Sequence, residues 1–328
     1  MTDFKTIAIL VPGRLNPDTL TELEATFDVV RSPARNVSDL SARDRARIRG
    51  IAEMGGVTAD MIDALEKLEI IANFGVGYDV VDTAHATEKG VAVTHTPDVL
   101  TEEVADTAVG LLLNTVRELP RAERYLREGR WAGEGPYPLS GATLRGRSVG
   151  IMGLGRIGLA IARRLEAFGL TIAYHNRSRR DDVPYAYHET LTGLAATVDT
   201  LIIAAPGGAG TEKAVNAEVL SALGRTGILV NIGRGSIVDT EALADALESG
   251  TIQAAGLDVF PNEPQVPERL LGLPNAVLLP HVASASRHTR KAMGDLVIAN
   301  LKRWFSGEPL ETPVPESRKA GLVRRRQD

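Results

Sequence analysis

The chain has no cysteine in 328 residues. That removes disulfides, thiolate metal sites and a thiol nucleophile, and it fits a reducing, cytoplasmic setting. No uninterrupted apolar run approaches the length needed to cross a bilayer, so neither a transmembrane helix nor a membrane partner is expected. A basic balance is also missing. With 37 Lys and Arg against 42 Asp and Glu, the formal net charge is -5, so no global field would draw in nucleic acid or an anionic membrane. Arg324-Arg325-Arg326 is a local exception and is expected to be a solvated tail. The start, MTDFKTIAILVPGR, carries an early acidic residue and an apolar run that stops at Pro12, so it reads as a first strand and not as a signal peptide. There is no internal repeat, and no His/carboxylate cluster has the spacing of a metal site.

The length is too great for one ordinary core and suits two domains. A composition of 44% hydrophobic and 24% charged residues with 32 glycines is that of a globular protein with many strand-to-helix turns. Strands are expected near 6–11, 28–30, 50–52, 70–74 and 91–94. Helices fall between them near 19–27, 41–47, 58–68 and 82–89, and Thr19 with Glu22 has capping-box spacing. The alternation implies parallel strands with crossover helices, in a first α/β unit ending near Pro97. Thr101 then caps a long helix, Pro120 interrupts it, a second piece runs to about Arg130, and 131–146 reads as irregular. This helix and arm could be an interdomain crossing or a dimer contact. Met54, Gly55 and Gly56 could line a ligand site or form a plain turn.

The stretch SVGIMGLGRIG, 148–158, reads as strand, glycine turn and helix, with another strand at 170–175. Gly153 permits the tight turn, Gly155 lets a pyrophosphate approach, and Gly158 lets helix and strand pack closely. Arg156 and Ile157 open the helix, where free amides and the dipole favour phosphate. Selectivity for NAD(H) normally comes from an acidic residue about 20 positions beyond the turn. Here the neutral Asn176 stands there, followed by Arg177, Ser178 and Arg179, which suit a 2′-phosphate. NADP(H) is therefore favoured, with NAD(H) still possible. The plainer account is an exposed basic turn, partly offset by Asp181 and Asp182.

Further strands at 200–205, 227–232, 254–259 and 276–279 complete a six-stranded sheet, and a last helix at 286–305 returns toward the first unit. The expected domains are therefore 1–98 with 286–328, for substrate, and 99–285, for the cofactor. Three segments follow consecutive strand ends, where open α/β sheets bind ligands: NIGRG, LDVFPNEP and LPHVAS. They bring Arg234, Glu263 and His281 to one rim. Arg234 could fork onto a carboxylate and polarise a carbonyl. His281 could protonate the oxygen as hydride arrives, with Glu263 favouring its imidazolium form. Taken singly, each has an ordinary reading: a surface charge, a loop residue, a buried histidine.

The order GLGRIG, NIGRGSIVD, GLDVFPNEP, LPHVASAS resembles the D-isomer-specific 2-hydroxy acid dehydrogenase family over nearly the whole chain. The resemblance implies a Rossmann domain and a flavodoxin-like domain, both doubly wound, with a cleft between them, a D product, and a homodimer built on the long helix. It makes Arg234, Glu263 and His281 the catalytic trio, and segment 73–79 the carboxylate loop with the amides of Val76 and Gly77. Asp258 matches the position that contacts the nicotinamide carboxamide, Pro206, Ile232 and Gly233 fall in the cofactor set, and Ser284 faces the substrate. The Asn-Arg-Ser turn, Pro206-Gly207-Gly208 and the TPVPE stretch from Thr312 are similar to the NADPH-dependent glyoxylate and hydroxypyruvate reductase branch. The expected partner is thus a small 2-keto or 2-hydroxy acid.

Three other readings stand beside it. Hydroxyphenylpyruvate stays open as a substrate; phosphoglycerate chemistry is disfavoured because no regulatory domain follows; and a corepressor-like NAD(P)-sensing interaction protein would keep the same trio. Trp131 and Tyr137 could cover a substrate pocket, in the partner subunit, or simply pack. His85, His95, His175, His188 and His288 read as structural or solvent-facing.

Overall fold

Apolar runs too short for a helix fold here as parallel strands, buried because helices cover both faces. The computed structural model describes residues 2–325, and the chain divides into two units, Met1–Leu100 with Ser286–Asp328, and Thr101–Ala285.

The first unit holds β1 (Ala8–Pro12), β2 (Asp28–Ser32), β3 (Ile48–Glu53), β4 (Ile70–Asn73) and β5 (Ala92–Thr94). They run parallel in the order β2-β1-β3-β4-β5, the flavodoxin-like winding. Leu10, Ile51 and Ile71 form the middle of its core. The first helix starts earlier than the Thr19 spacing suggests. It spans Pro17–Thr26, and the Asn16 side chain accepts the Thr19 amide at 3.1 Å, because Pro17 already supplies the fixed φ of a first helical position. Thr58 does cap a helix, but only Ala59–Asp63 is helical.

The helix Arg287–Ser306 belongs to this unit. Beyond it, Pro313 pairs antiparallel with Thr94, and the Val314 amide donates to the Val93 carbonyl at 3.0 Å. The buried Ser317 hydroxyl accepts the Val93 amide at 2.9 Å. The returning segment thereby closes the β5 edge. The arginine tail is not loose: Arg325 donates to Glu69 at 2.8 Å and Arg324 to the Gly307 carbonyl, while Arg326 lies outside the described residues.

The second unit holds β6 (Ser148–Met152), β7 (Thr171–His175), β8 (Ala186–Tyr187), β9 (Thr200–Ile203), β10 (Ile228–Asn231), β11 (Ala254–Leu257) and β12 (Ala276–Leu278). The order is β12-β11-β10-β9-β6-β7-β8, all parallel. Direction of winding reverses between β6 and β9, the Rossmann switch point. The sheet has seven strands where six are expected from sequence, since the two residues of β8 are too few to show a period. The helix Thr101–Arg117 ends at Glu118, held left-handed at φ 54°, and Leu119–Arg127 restarts with Pro120 in its first turn. A short helix, Arg130–Glu134, occupies the start of the stretch expected to be irregular. Among the described residues no helix is long and apolar enough to cross a membrane.

Candidate active site

β6 runs into Gly153, whose φ is +93° and where a Cβ would lie 2.6 Å from the Ala205 nitrogen. At Gly158 a Cβ would meet the Gly153 carbonyl oxygen at 2.2 Å. Both positions therefore require glycine. At Gly155 nothing lies within 4 Å, and this N-cap offers no side-chain acceptor to the amides of helix Arg156–Ala167. A bare helix N-terminus under open space fits a pyrophosphate. From the end of β7, the Asn176 Oδ1 accepts the Leu154 amide at 2.7 Å, and Arg180 donates to the Leu154 carbonyl at 2.8 Å. The second strand thus braces the turn from both sides. Arg177, Ser178 and Arg179 are exposed, with Arg179 3.7 Å from Asp181. Pro206 is exposed after β9, and Ile232 is buried with its amide on the Ile203 carbonyl at 3.1 Å.

The trio comes together through backbone contacts. Buried Asn231, the last residue of β10, donates to the Arg234 carbonyl at 2.9 Å and accepts the Gly233 amide at 3.0 Å. A Cβ on Gly235 would fall 1.9 Å from the Phe260 carbonyl carbon, so the loops after β10 and β11 touch main chain to main chain. Glu263 accepts the Phe260 amide through one carboxylate oxygen at 2.9 Å, and its other oxygen lies 2.6 Å from His281 Nδ1. Since a carboxylate only accepts, Nδ1 carries a proton, leaving Nε2 as the nitrogen that can exchange one. The imidazole is 45% exposed, enough to meet a ligand. Burial raises the Glu263 pKa, but the His281 and Phe260 hydrogen bonds with the charges of His281 and Arg234 outweigh it, holding the carboxyl below its usual range.

His281 sits at φ +52°, a left-handed backbone that costs roughly 1–2 kcal/mol for a non-glycine residue. Asp258 compensates. Its carbonyl accepts the His281 amide at 2.9 Å, and its carboxylate accepts those of Val282 at 2.8 Å and Ala283 at 2.9 Å. Asp258 is 0% exposed; burial pushes its pKa up, against the lowering effect of the two amides. Both carboxylate oxygens thus hold the loop after β12 from beneath. Ser284, next along, is buried as well.

The first unit carries a different device after β4. Buried Asn73 donates to the carbonyls of Gly75 at 3.0 Å and Gly77 at 3.1 Å. The Thr96 amide also reaches the Gly75 carbonyl at 2.9 Å, and His95 Nδ1 reaches the Val76 carbonyl at 2.9 Å. With three successive carbonyls tied down, the amides of Val76 and Gly77 meet no acceptor among the described residues, an arrangement suited to an anion. His95 is therefore a brace that the sequence did not single out. Its only signal is its place just past β5.

Met54, Gly55 and Gly56 form a turn fixed by buried Glu53, which accepts the Gly56 amide at 2.6 Å, and by Arg35, which donates to the carbonyls of Met54 at 3.5 Å and of Gly56. Tyr137 packs edge-on against Tyr125 at 5.4 Å, while Trp131 is 61% exposed. A cavity of about 480 Å³ in the second unit is lined by Thr115, Ile228, Ala254 and Ala276, and by Leu278 and Leu279 at the other end of β12.

Residues 109–283 match the family described as D-isomer specific 2-hydroxyacid dehydrogenase, NAD binding domain. The chain is 45% identical to the glyoxylate/hydroxypyruvate reductase A of Arabidopsis thaliana over 315 residues, 94% of this chain and 99% of that one. It is 47% identical to the hydroxyphenylpyruvate reductase of Plectranthus scutellarioides over 298 residues, 89% and 94% of the two chains. The crystal structure of an NADPH-dependent glyoxylate/hydroxypyruvate reductase from Sinorhizobium meliloti, in complex with NADP and malonate, is similar with a TM-score of 0.94 and 57% identity, covering 98% of this chain and 99% of that one. Fold, site order and relatives agree, and the chain belongs to the D-isomer specific 2-hydroxyacid dehydrogenase family.

Proposed function

We propose that the protein is an NADPH-dependent reductase of small 2-keto acids, glyoxylate and hydroxypyruvate, that releases D-2-hydroxy acids. The observation that carries this reading is the 2.6 Å pair between His281 Nδ1 and Glu263 on the strand-end rim, beside a helix N-terminus shaped for a pyrophosphate. The amides of Arg156 and Ile157 would hold that pyrophosphate, and Arg177, Ser178 and Arg179 would hold the 2′-phosphate of NADP. The reduced nicotinamide supplies the hydride. His281 gives the Nε2 proton to the carbonyl oxygen of the substrate, and Glu263 holds the ring through Nδ1. Arg234 would face the developing negative charge on that oxygen, and the amides of Val76 and Gly77 in the first, substrate-binding unit would receive a carboxylate.

The names of the similar reductases support the substrate class, and the hydroxyphenylpyruvate reductase at 47% identity keeps a bulkier keto acid as second reading. Exposed Leu119, Leu126 and Trp131 on the arm support a homodimer, which light scattering tests, and a cytoplasmic location completes the proposal. The deciding experiment follows NADPH absorbance with glyoxylate, hydroxypyruvate and hydroxyphenylpyruvate. Sustained turnover with the first two is expected; cofactor binding without turnover of any keto acid would point to a sensor instead.

A further inference from the structure

The loop after β4 is braced from a part of the chain more than 200 positions away. Asn300, buried in helix Arg287–Ser306, accepts the amides of Glu311 at 3.0 Å and Thr312 at 3.2 Å and donates to the Thr312 hydroxyl at 2.8 Å. That hydroxyl donates to the His95 carbonyl at 2.6 Å, while the His95 amide donates to the Thr312 carbonyl at 3.1 Å. His95 is thereby held by its own backbone on both sides, and its ring Nδ1 lies 2.9 Å from the Val76 carbonyl. A second strut runs beside the first. Tyr78 lies edge-on to the His95 ring at 5.2 Å, with Glu316 of helix Pro315–Lys319 as its carboxylate neighbour; burial, then that carboxylate, pushes the phenol up to about 12.

We infer that residues 311–316, acting through His95 and Tyr78, are a positioning element for substrate: they set the direction of the Gly77 amide and so the affinity for the keto acid. The inference rests on the reading that this amide receives the substrate carboxylate. The physical reason is economy of motion. A peptide plane is rigid, so fixing the Val76 carbonyl fixes the Gly77 amide on the other end of the same plane. A loop left to sample other orientations would have to be ordered at each binding event. Such a residue touches neither the reacting carbon nor the proton, so its loss acts on binding and leaves the chemical step alone.

The test compares His95→Phe, which keeps a ring against Tyr78 but has no donor, with His95→Asn, which keeps a donor, and with Thr312→Val. KM for glyoxylate should rise about tenfold in His95→Phe and in Thr312→Val, the order expected for one lost hydrogen bond, with kcat within about threefold and KM for NADPH unchanged. His95→Asn should recover most of the affinity. A fall in kcat at constant KM, no change in either constant, or a failure of Asn to rescue would overturn the role. So would a lower thermal midpoint as the sole effect. Gly77→Pro, which deletes the amide, separates the two claims. If it leaves KM unaltered, the carboxylate reading of the loop falls and this inference with it. If it raises KM while His95→Phe does not, only the role of His95 is lost.

Discussion

The loop after β4 and the loop after β12 solve opposite problems with the same means. In the first, Asn73, Thr96 and His95 satisfy the carbonyls from beneath, so what faces outward is a row of amides. In the second, Asp258 satisfies three amides from beneath, so what faces outward is a side chain, the imidazole of His281. One loop offers backbone polarity, which any short sequence could provide. The other offers a titrating group, which only one residue provides. The difference teaches that a buried Asn or Asp at a strand end decides which half of the peptide group the solvent sees.

The sharpest way to break that contrast is His281→Ala. Turnover should fall about 10²- to 10⁴-fold, the usual worth of general acid assistance, with the NADPH dissociation constant unchanged by fluorescence titration. Next is Asp258→Ala, which strands the buried amide of Ala283 at a cost of about 1–3 kcal/mol and frees the part-buried amide of Val282. Thermal unfolding should drop by several degrees and kcat should fall as well, because the left-handed backbone of His281 loses its support. A variant with wild-type melting and reduced kcat would show that Asp258 acts on the chemistry directly.

Asn73→Ala should raise KM for the keto acid about tenfold, since one net hydrogen bond is lost at each of two carbonyls, and should spare kcat. Equal damage to both constants would mean the two loops do not divide their labour. In the cofactor half of the site, Arg177→Ala should weaken NADPH about tenfold, as for loss of a charge-assisted contact, and leave NADH unchanged. Equal losses in a titration with both cofactors would remove Arg177 from phosphate recognition.

The smallest effect concerns pH. Glu263 is held below the ordinary carboxylate range, so its pair with His281 adds stability that is present above the unfolded value, about 4.3. That stability is lost as pH falls through the depressed native value. The stability difference between wild type and Glu263→Gln should therefore shrink as pH falls below about 5. A difference that grows as pH falls would reverse the assignment.

Most of the second unit was legible because its signals are chemical and local. GLGRIG stands at a turn where two positions tolerate no Cβ, and Arg234, Glu263 and His281 each follow a strand end. What escaped was written in distances along the chain or in very short pieces. β8 has two residues. The capping role of Asn16 is masked by Pro17. The hold of Asp258 on the amides of 281–283 was not legible, because it depends on how those residues fold. His95 looked ordinary because its partners are Val76 and Thr312, and no spacing rule joins 76, 95 and 312.

The pairing of Thr94 with Pro313 has a consequence for biogenesis. The second unit is one uninterrupted stretch, so it can condense while the ribosome is still adding residues. The first must wait, its fifth strand bare, until the last helix and the closing segment have been translated, and any chain released before about that point would carry an unprotected edge ready to join another copy.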